Sequence, residues 1–409
     1  MQRDRLEFNP FDRSWWVDPY PFYGRLLDEA PSGKVAGLDL WYFAGYDECE
    51  SILRDARFGV DERNSNLYRQ FAPNDDGQRD ELGRSFLFLD PPEHTRLRGF
   101  VSRSFTPRVV EGLRTRIATT VGELLDRLPN GTPFDLVGAL AYPLPITVIC
   151  DLLGIPASDR GSFHQWSRHL VASLDPELVV PPEVMRERRQ AVEELRAYML
   201  DLVAERARRP AGDLISALSE ASTAAGPASE SAMSQQELVT TLVLLLVAGY
   251  ETTVNLVANA VLGLLRHPEA ADLLSRRPAL VVPCVEEVLR FDPPVQLTSR
   301  VALTDVEVGG IGVPAGAIAI VLVAAANRDP ARVDRPEVFD ITRAGTRHLS
   351  FSLGAHHCLG APLARAEAQL ALTGLVARHL ELALAGEPRY RETLVLRGIE
   401  YLPVVARRR

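Results

Sequence analysis

The chain has 409 residues, with 45 Lys+Arg against 54 Asp+Glu and a formal charge of −9. Hydrophobic residues make up 46% and charged residues 24%, ordinary globular proportions that exclude an intrinsically disordered chain. The acidic balance excludes a general nucleic-acid binder, because that affinity rests on neutralising phosphates. Lys34 is the sole lysine. Coding bias accounts for the arginine excess, although the guanidinium fork also suits bidentate recognition of carboxylates. Length alone suggests two or three domains.

Cys49, Cys150, Cys284 and Cys358 lie far apart with no CxxC pair, which fits neither a disulfide framework nor a zinc site. The opening MQRDRLEFNPFDRSWW lacks the apolar stretch of a signal peptide. The longest strongly apolar run, 238–250, is shorter than the roughly 20 residues that span a bilayer. A cytoplasmic chain outside the membrane is expected.

In chain order, residues 1–50 mix aromatics, prolines and short apolar runs such as LWYF at 40–43. They predict strands and loops. Minor β-rich parts are expected at about 30–60 and 293–325, around a helical body at about 90–290. Asp90-Pro91-Pro92-Glu93 predicts a helix start with Asp90 as N-cap and proline at N1. Residues 183–209 predict one long, charged, solvent-facing helix, and 221–234 (ASTAAGPASESAMS) a surface loop. Ser234-Gln235-Gln236-Glu237 is a capping box, opening an apolar helix to about 265 that crosses the centre of the protein. Strands are predicted at 295–301, 306–308 and 318–323, then a helix after Cys358 and a strand-like tail. The sum is a mainly α chain with a small β portion.

The strongest signal is FSLGAHHCLG at 351–360. Gly354 and Gly360 flank Cys358 and permit tight turns and close backbone approach. A helix-forming stretch follows from Leu363, so the thiol stands just ahead of a helix N-terminus, where a thiolate is favoured. Three fates are open to it. Inert core packing is commonest for a lone cysteine and suits Cys49, Cys150 and Cys284. A catalytic nucleophile needs a general base that adjacent His357 is poorly placed to be. A single axial metal ligand is the third.

F-x-x-G-x-H-x-C-x-G resembles the haem-binding signature of the cytochrome P450 monooxygenases, with Ser352 standing where that family usually has a second glycine. The resemblance implies that Cys358 is the axial ligand of the iron of haem b, a ligation that favours O–O cleavage. It implies that Phe351, Gly354, His356 and Gly360 bind the cofactor. DPYP at 18–21 and ANRDP at 326–330 are also similar to bacterial members, so the resemblance covers nearly the whole chain. It implies the cytochrome P450 fold over 1–409, one large triangular-prism domain in place of two or three.

Three more segments join the resemblance. Ala248-Gly249-Tyr250-Glu251-Thr252-Thr253 places a glycine in mid-helix, at about 1 kcal/mol relative to alanine; Ala248 and Thr252 share a face. On the residues alone packing is an equal reading, since threonine hydroxyls bond back to the i−4 carbonyl. The match of A-G-x-[DE]-T to the family's oxygen-binding helix implies a kinked helix, Ala248 beside the cofactor, and proton delivery by Glu251 and Thr252. Glu287 and Arg290 lie one helical turn apart, an arrangement worth under about 1 kcal/mol at a surface. With Arg343 they match the family's structural network. His94 and Arg98 (i,i+4), Arg300 and His356 match the propionate-binding positions of bacterial members.

The family pocket is implied at Phe86, Leu87 and Phe88, at Val179 and Val180, at Leu244 and Val247, and at Val295, Leu297 and Leu402. These apolar residues predict a bulky, largely apolar substrate. A macrolide or other polyketide comes first, a terpenoid, steroid or xenobiotic second. The implied reaction inserts one atom of O2 by hydroxylation or epoxidation. The implied monomer draws NAD(P)H electrons through a ferredoxin and its ferredoxin reductase, because no flavin or iron–sulfur segment is seen. Docking an acidic ferredoxin requires a basic patch, for which Arg96, Arg103, Arg108 and Arg365 are candidates. Two other classes remain open: a non-catalytic haem sensor or electron carrier, which needs no acid–alcohol pair, and a cysteine hydrolase, which works without haem.

Overall fold

The computed structural model describes residues 8–71, 85–103, 105–170, 175, 180–224, 232–378 and 380–408. Two compact units divide the chain. The first comprises Met1–Asp76, Asn259–Cys358 and Arg389–Glu400; the second comprises Gly77–Ala258, Leu359–Pro388 and Tyr401–Arg409.

The first unit is built on a five-stranded sheet in the order Ser32–Lys34, Leu40–Phe43, Ile318–Val321, Thr298–Ala302, Phe58–Gly59. Leu40–Phe43 runs parallel to Ile318–Val321, with Phe43 opposite Val321; Thr298–Ala302 lies antiparallel on the far side, with Thr298 opposite Val321. All four residues of LWYF are buried, as an unbroken apolar strand covered on both faces must be. Phe43, Ile52, Ala319 and Cys49 are part of the core gathered here. The helix Tyr46–Arg54 follows Gly45, which has no side chain to cap it; Asp329 Oδ2 accepts from Tyr46 N at 2.8 Å instead.

Several expectations for this unit need correction. Helices Tyr20–Glu29 and Tyr46–Arg54 occupy much of the part expected as strands and loops; Pro21 sits in the first helical turn, where its missing N–H costs nothing. Of the strand expected at 295–301 only Thr298–Ala302 joins the ladder, and Val295 makes an isolated bridge to Leu396. Ile311–Val313, too short to carry a periodic signal, pairs with Val306–Val308. Val323 belongs to a single helical turn, Val323–Ala326.

The second unit is mainly helical. Thr106 Oγ1 accepts from Val109 N at 3.3 Å and caps Pro107–Asp126. Ala361–Ala377 packs along that helix so closely that a Cβ on Gly374 would stand 2.6 Å from Val121 Cγ1. The strand-like tail Pro403–Arg408 is the middle strand of a sheet between Pro133–Asp135 and Leu380–Leu384. Pro182–Arg208 is one helix, but Val192, Leu195, Met199 and Leu202 are buried along it, so it is amphipathic and not wholly solvent-facing. Leu214–Ala224 takes up the start of the loop expected from 221. The helix expected from Asp90 begins at Glu93, with Pro92 at the N-cap position and no side-chain cap. The Asp90 backbone carbonyl accepts from His94 N at 3.1 Å.

The capping box forms as expected. Ser234 N donates to Glu237 Oε2 at 2.7 Å, and Glu237 N to Ser234 Oγ at 3.2 Å. They open Gln235–Arg266, a helix of 32 residues that runs from the second unit into the first. By length and composition it is able to cross a membrane, which the run 238–250 alone did not suggest; yet 83% of its most apolar window is buried inside the protein, so its apolar surface is core.

Candidate active site

Among the four cysteines Cys358 alone is exposed. Burial pushes the thiol of Cys49 far up, and those of Cys150 and Cys284 up to about 12, which keeps all three protonated and inert. The Cys358 loop is pinned by its backbone: Cys358 N donates to Phe351 O at 2.8 Å and His357 N to Gly354 O at 3.1 Å. Gly354 has φ +67, and a Cβ there would meet Leu53 O at 2.6 Å, so no side chain fits. Gly360 differs. It has no protein atom within 4 Å of a hypothetical Cβ, so protein packing does not demand glycine there.

Arg300, 5% exposed, is brought onto this loop. Its Nη1 donates to Ser299 O at 2.7 Å and Thr298 Oγ1 at 3.3 Å, and its Nη2 to Ser352 Oγ at 3.1 Å. His356, half-buried, lies in the same loop. An exposed thiol on a fixed loop, with a buried arginine and a histidine beside it in the fold or the chain, is a donor set that fits an iron porphyrin with acidic side chains.

Glu287, Arg290 and Arg343 come together in a buried network. Arg290 Nη2 meets Glu287 Oε1 at 2.7 Å and Nε meets Oε2 at 2.9 Å. Arg290 also donates to Pro336 O at 2.9 Å and Val338 O at 3.1 Å. Arg343 Nε approaches Glu287 Oε2 to 3.3 Å. Asn327 is the member that sequence reasoning missed. Its Oδ1 accepts from Leu349 N at 2.7 Å and its Nδ2 donates to Ser350 Oγ at 2.8 Å, while Ser350 Oγ donates to Leu289 O at 2.6 Å. The helix Val281–Phe291 is thereby tied to the start of the Cys358 loop. ANRDP carried the signal, but only as a family likeness.

In the second unit the helix Glu93–Ser102 carries both His94 and Arg98. His94 is 2% exposed; burial, and then the Arg98 charge, hold its imidazole below the ordinary range. It is therefore neutral at pH 7 and keeps one N–H to donate. On the long helix Thr252 Oγ1 donates to Ala248 O at 2.8 Å and Thr253 Oγ1 to Gly249 O at 3.0 Å. The back-bonding reading of Thr252 thus holds, but an oriented hydroxyl still has lone pairs to accept with. Ala248 and Thr252 are half-buried and Gly249 is exposed, whereas Val247, Tyr250, Glu251 and Thr253 are buried. Tyr250 packs edge-on against Tyr142 at 4.8 Å. The helix is unbroken through this window.

The candidate pocket residues divide. Phe86–Phe88 form a short turn packed on Glu93–Ser102. Leu87, Phe88, Val180 and Val295 are half-buried; Phe86, Leu244, Val247 and Leu297 are buried. Leu402 is fully buried and its backbone bonds Asp135 Oδ1 and Leu136, which makes it core. Val179 lies outside the described residues. In the proposed basic patch Arg103 and Arg108 are exposed and Arg365 is half-buried. Arg96 is committed elsewhere: it donates to Ala232 O at 2.8 Å and pairs with Glu237.

A sequence model of the cytochrome P450 family matches residues 62–276 and 278–391. The chain is 37% identical over 401 residues to 6-deoxyerythronolide B hydroxylase of Saccharopolyspora erythraea, covering 96% of each. It is 38% identical over 404 residues to vitamin D(3) 25-hydroxylase of Pseudonocardia autotrophica, covering 96% of this chain and 95% of that one. The structure of ligand-free CYP164A2 of Mycobacterium smegmatis matches with a TM-score of 0.88 at 41% identity, covering 97% and 98% of the two chains. The chain belongs to the cytochrome P450 family and is a monooxygenase with that family's fold. Membership implies haem, O2 and reducing electrons, with redox partners and a small-molecule substrate.

Proposed function

We propose that Cys358 Sγ ligates the iron of haem b, that Arg300, His94, Arg98 and His356 hold its propionates, and that the chain oxidises a bulky, largely apolar molecule by hydroxylation or epoxidation. The observation that carries this reading is the contrast between the cysteines: three are buried with thiols pushed up, and Cys358 is presented on a loop fixed at Phe351 and Gly354. Haem, when bound, supplies O2 activation. The protein residues bind, orient and move protons around it. Arg300 brings charge and neutral His94 an N–H, both suited to a carboxylate. Thr252 Oγ1, its proton directed to the Ala248 carbonyl, offers lone pairs to an incoming donor, and Glu251 is the adjacent carboxyl that relays a proton to it. Phe88, Leu244 and Val247 supply apolar walls that exclude water.

For the substrate, a macrolide or other polyketide comes first, supported by the relative that hydroxylates 6-deoxyerythronolide B. The relative that hydroxylates vitamin D(3) supports a steroid as the second reading. Electrons reach a cytoplasmic monomer from a ferredoxin and its reductase, and the exposed Arg103 and Arg108 are its docking cations. The test is the visible spectrum of the dithionite-reduced protein under carbon monoxide. A thiolate-type Soret band in the wild type, lost in Cys358→Ser, supports the assignment; a folded, haem-loaded wild type without that band overturns it. A panel of macrolides and steroids, scored by the low-to-high-spin shift, separates the two substrate readings.

A further inference from the structure

We propose that Ser352 is a positioning residue for Arg300, its hydroxyl fixing the guanidinium that holds a haem propionate; this rests on the haem reading above. Among the described residues Ser352 and Arg335 are the non-glycine residues with positive φ, at 56° and 46°. That conformation suits glycine, and serine adopts it only against a steric penalty. The side chain is put to use. Ser352 Oγ accepts from Arg300 Nη2 at 3.1 Å, while Ser352 N is anchored to Leu349 O at 2.8 Å. The other terminal nitrogen, Nη1, is held by Ser299 O and Thr298 Oγ1 on its own strand. The guanidinium is thus gripped from the strand on one edge and from the cysteine loop on the other. One residue before Ser352, Phe351 O receives the N–H of Cys358 at 2.8 Å. Ser352 therefore couples the position of a buried positive charge to the loop that presents the thiol. A glycine there would relax the backbone and release Nη2.

The clean variant is Ser352→Gly, because it removes the hydroxyl and the backbone penalty together and is expected to unfold at the wild-type temperature or above. Haem transfer from the oxidised holoenzyme to excess apomyoglobin and the midpoint potential are measured for the wild type, S352G, R300A and the double variant. S352G is expected to lose haem about tenfold faster, the factor carried by one hydrogen bond to a charged group. Its potential is expected to move in the same direction as that of R300A, and less far. In the R300A background S352G adds nothing. Ser352→Asn tolerates positive φ and offers a carbonyl acceptor, and restores retention. If R300A leaves haem loss and potential unchanged, the assignment of Arg300 to a propionate falls and this proposal with it. If R300A has its effect but S352G has none, only the Ser352 proposal is overturned. Equal acceleration by S352G in both backgrounds also overturns it, since the effect would then bypass Arg300.

Discussion

Glu287 and Arg290 meet at 2.7 Å with both side chains at 0% exposure. Taking two charges out of water is costly, and such a pair endures only where further hydrogen bonds satisfy the remaining donors and acceptors. Here they do. Arg290 reaches three backbone carbonyls, and Glu287 Oε1 also accepts from Asp340 N at 2.9 Å. The pair fastens the helix Val281–Phe291 to the chain at 336–343.

Removing one partner leaves the other charge buried and unmatched, a loss of about 3–5 kcal/mol. Arg290→Ala is therefore expected to fold poorly or to show a urea midpoint far below the wild type. Glu287→Gln, which keeps an acceptor oxygen, is expected to lose less. A midpoint for R290A within error of the wild type would falsify the role given to this network.

Gly249 lies in mid-helix, where glycine is about 1 kcal/mol less favourable than alanine. A Cβ there meets only Ile149 Cδ1, at 3.7 Å, an ordinary contact. Gly249→Ala is thus expected to raise the thermal midpoint while lowering product formation, because the added methyl narrows the window beside Ala248 and Thr252. Thermal unfolding and turnover with a fixed substrate decide it. If activity also rises, the glycine is not kept for the reaction.

The sequence was most legible where a local rule acts. The Ser234–Glu237 box needs only four residues, and it forms as read. Cys358 was separable from the other cysteines because two glycines bound its loop. Other features depend on partners distant in sequence. Asp329 caps a helix nearly three hundred residues upstream, and Asn327 bridges two segments through backbone groups that have no sequence signature. Arg96 was read as a docking cation because its partner Glu237 lies far along the chain. Asp90 was read as a cap from residue preference alone, whereas the helix starts at Glu93 with Pro92 at the N-cap position.

Thr252 Oγ1 already donates to Ala248 O at 2.8 Å, so in the role proposed for it the hydroxyl acts by accepting. Thr252→Ser keeps that geometry and is expected to retain coupling of NAD(P)H oxidation to product. Thr252→Val keeps the shape and removes the hydroxyl, and is expected to divert most of the reducing equivalents to peroxide at little loss of stability. Comparing peroxide with product at matched NAD(P)H consumption checks this; equal coupling in both variants would restrict Thr252 to packing.

Glu367, on the helix Ala361–Ala377, is 2% exposed, and its Oε2 has no hydrogen-bond partner among the described residues. Burial pushes its carboxyl from an ordinary 4.5 up to about 8. The folded protein thus keeps this proton through a pH range in which the unfolded chain has released it. Stability is lost as pH rises between these two values, at up to about 1.4 kcal/mol per pH unit from this group alone. Glu367→Gln is neutral throughout and escapes that penalty. It is expected to match the wild type near pH 4 and to exceed it increasingly through pH 8, with the gap level above that. Urea unfolding of both proteins at pH 4.5, 6, 7.5 and 9 measures the gap. A gap that is constant across the series would mean that Glu367 ionises in the fold as freely as in the unfolded chain.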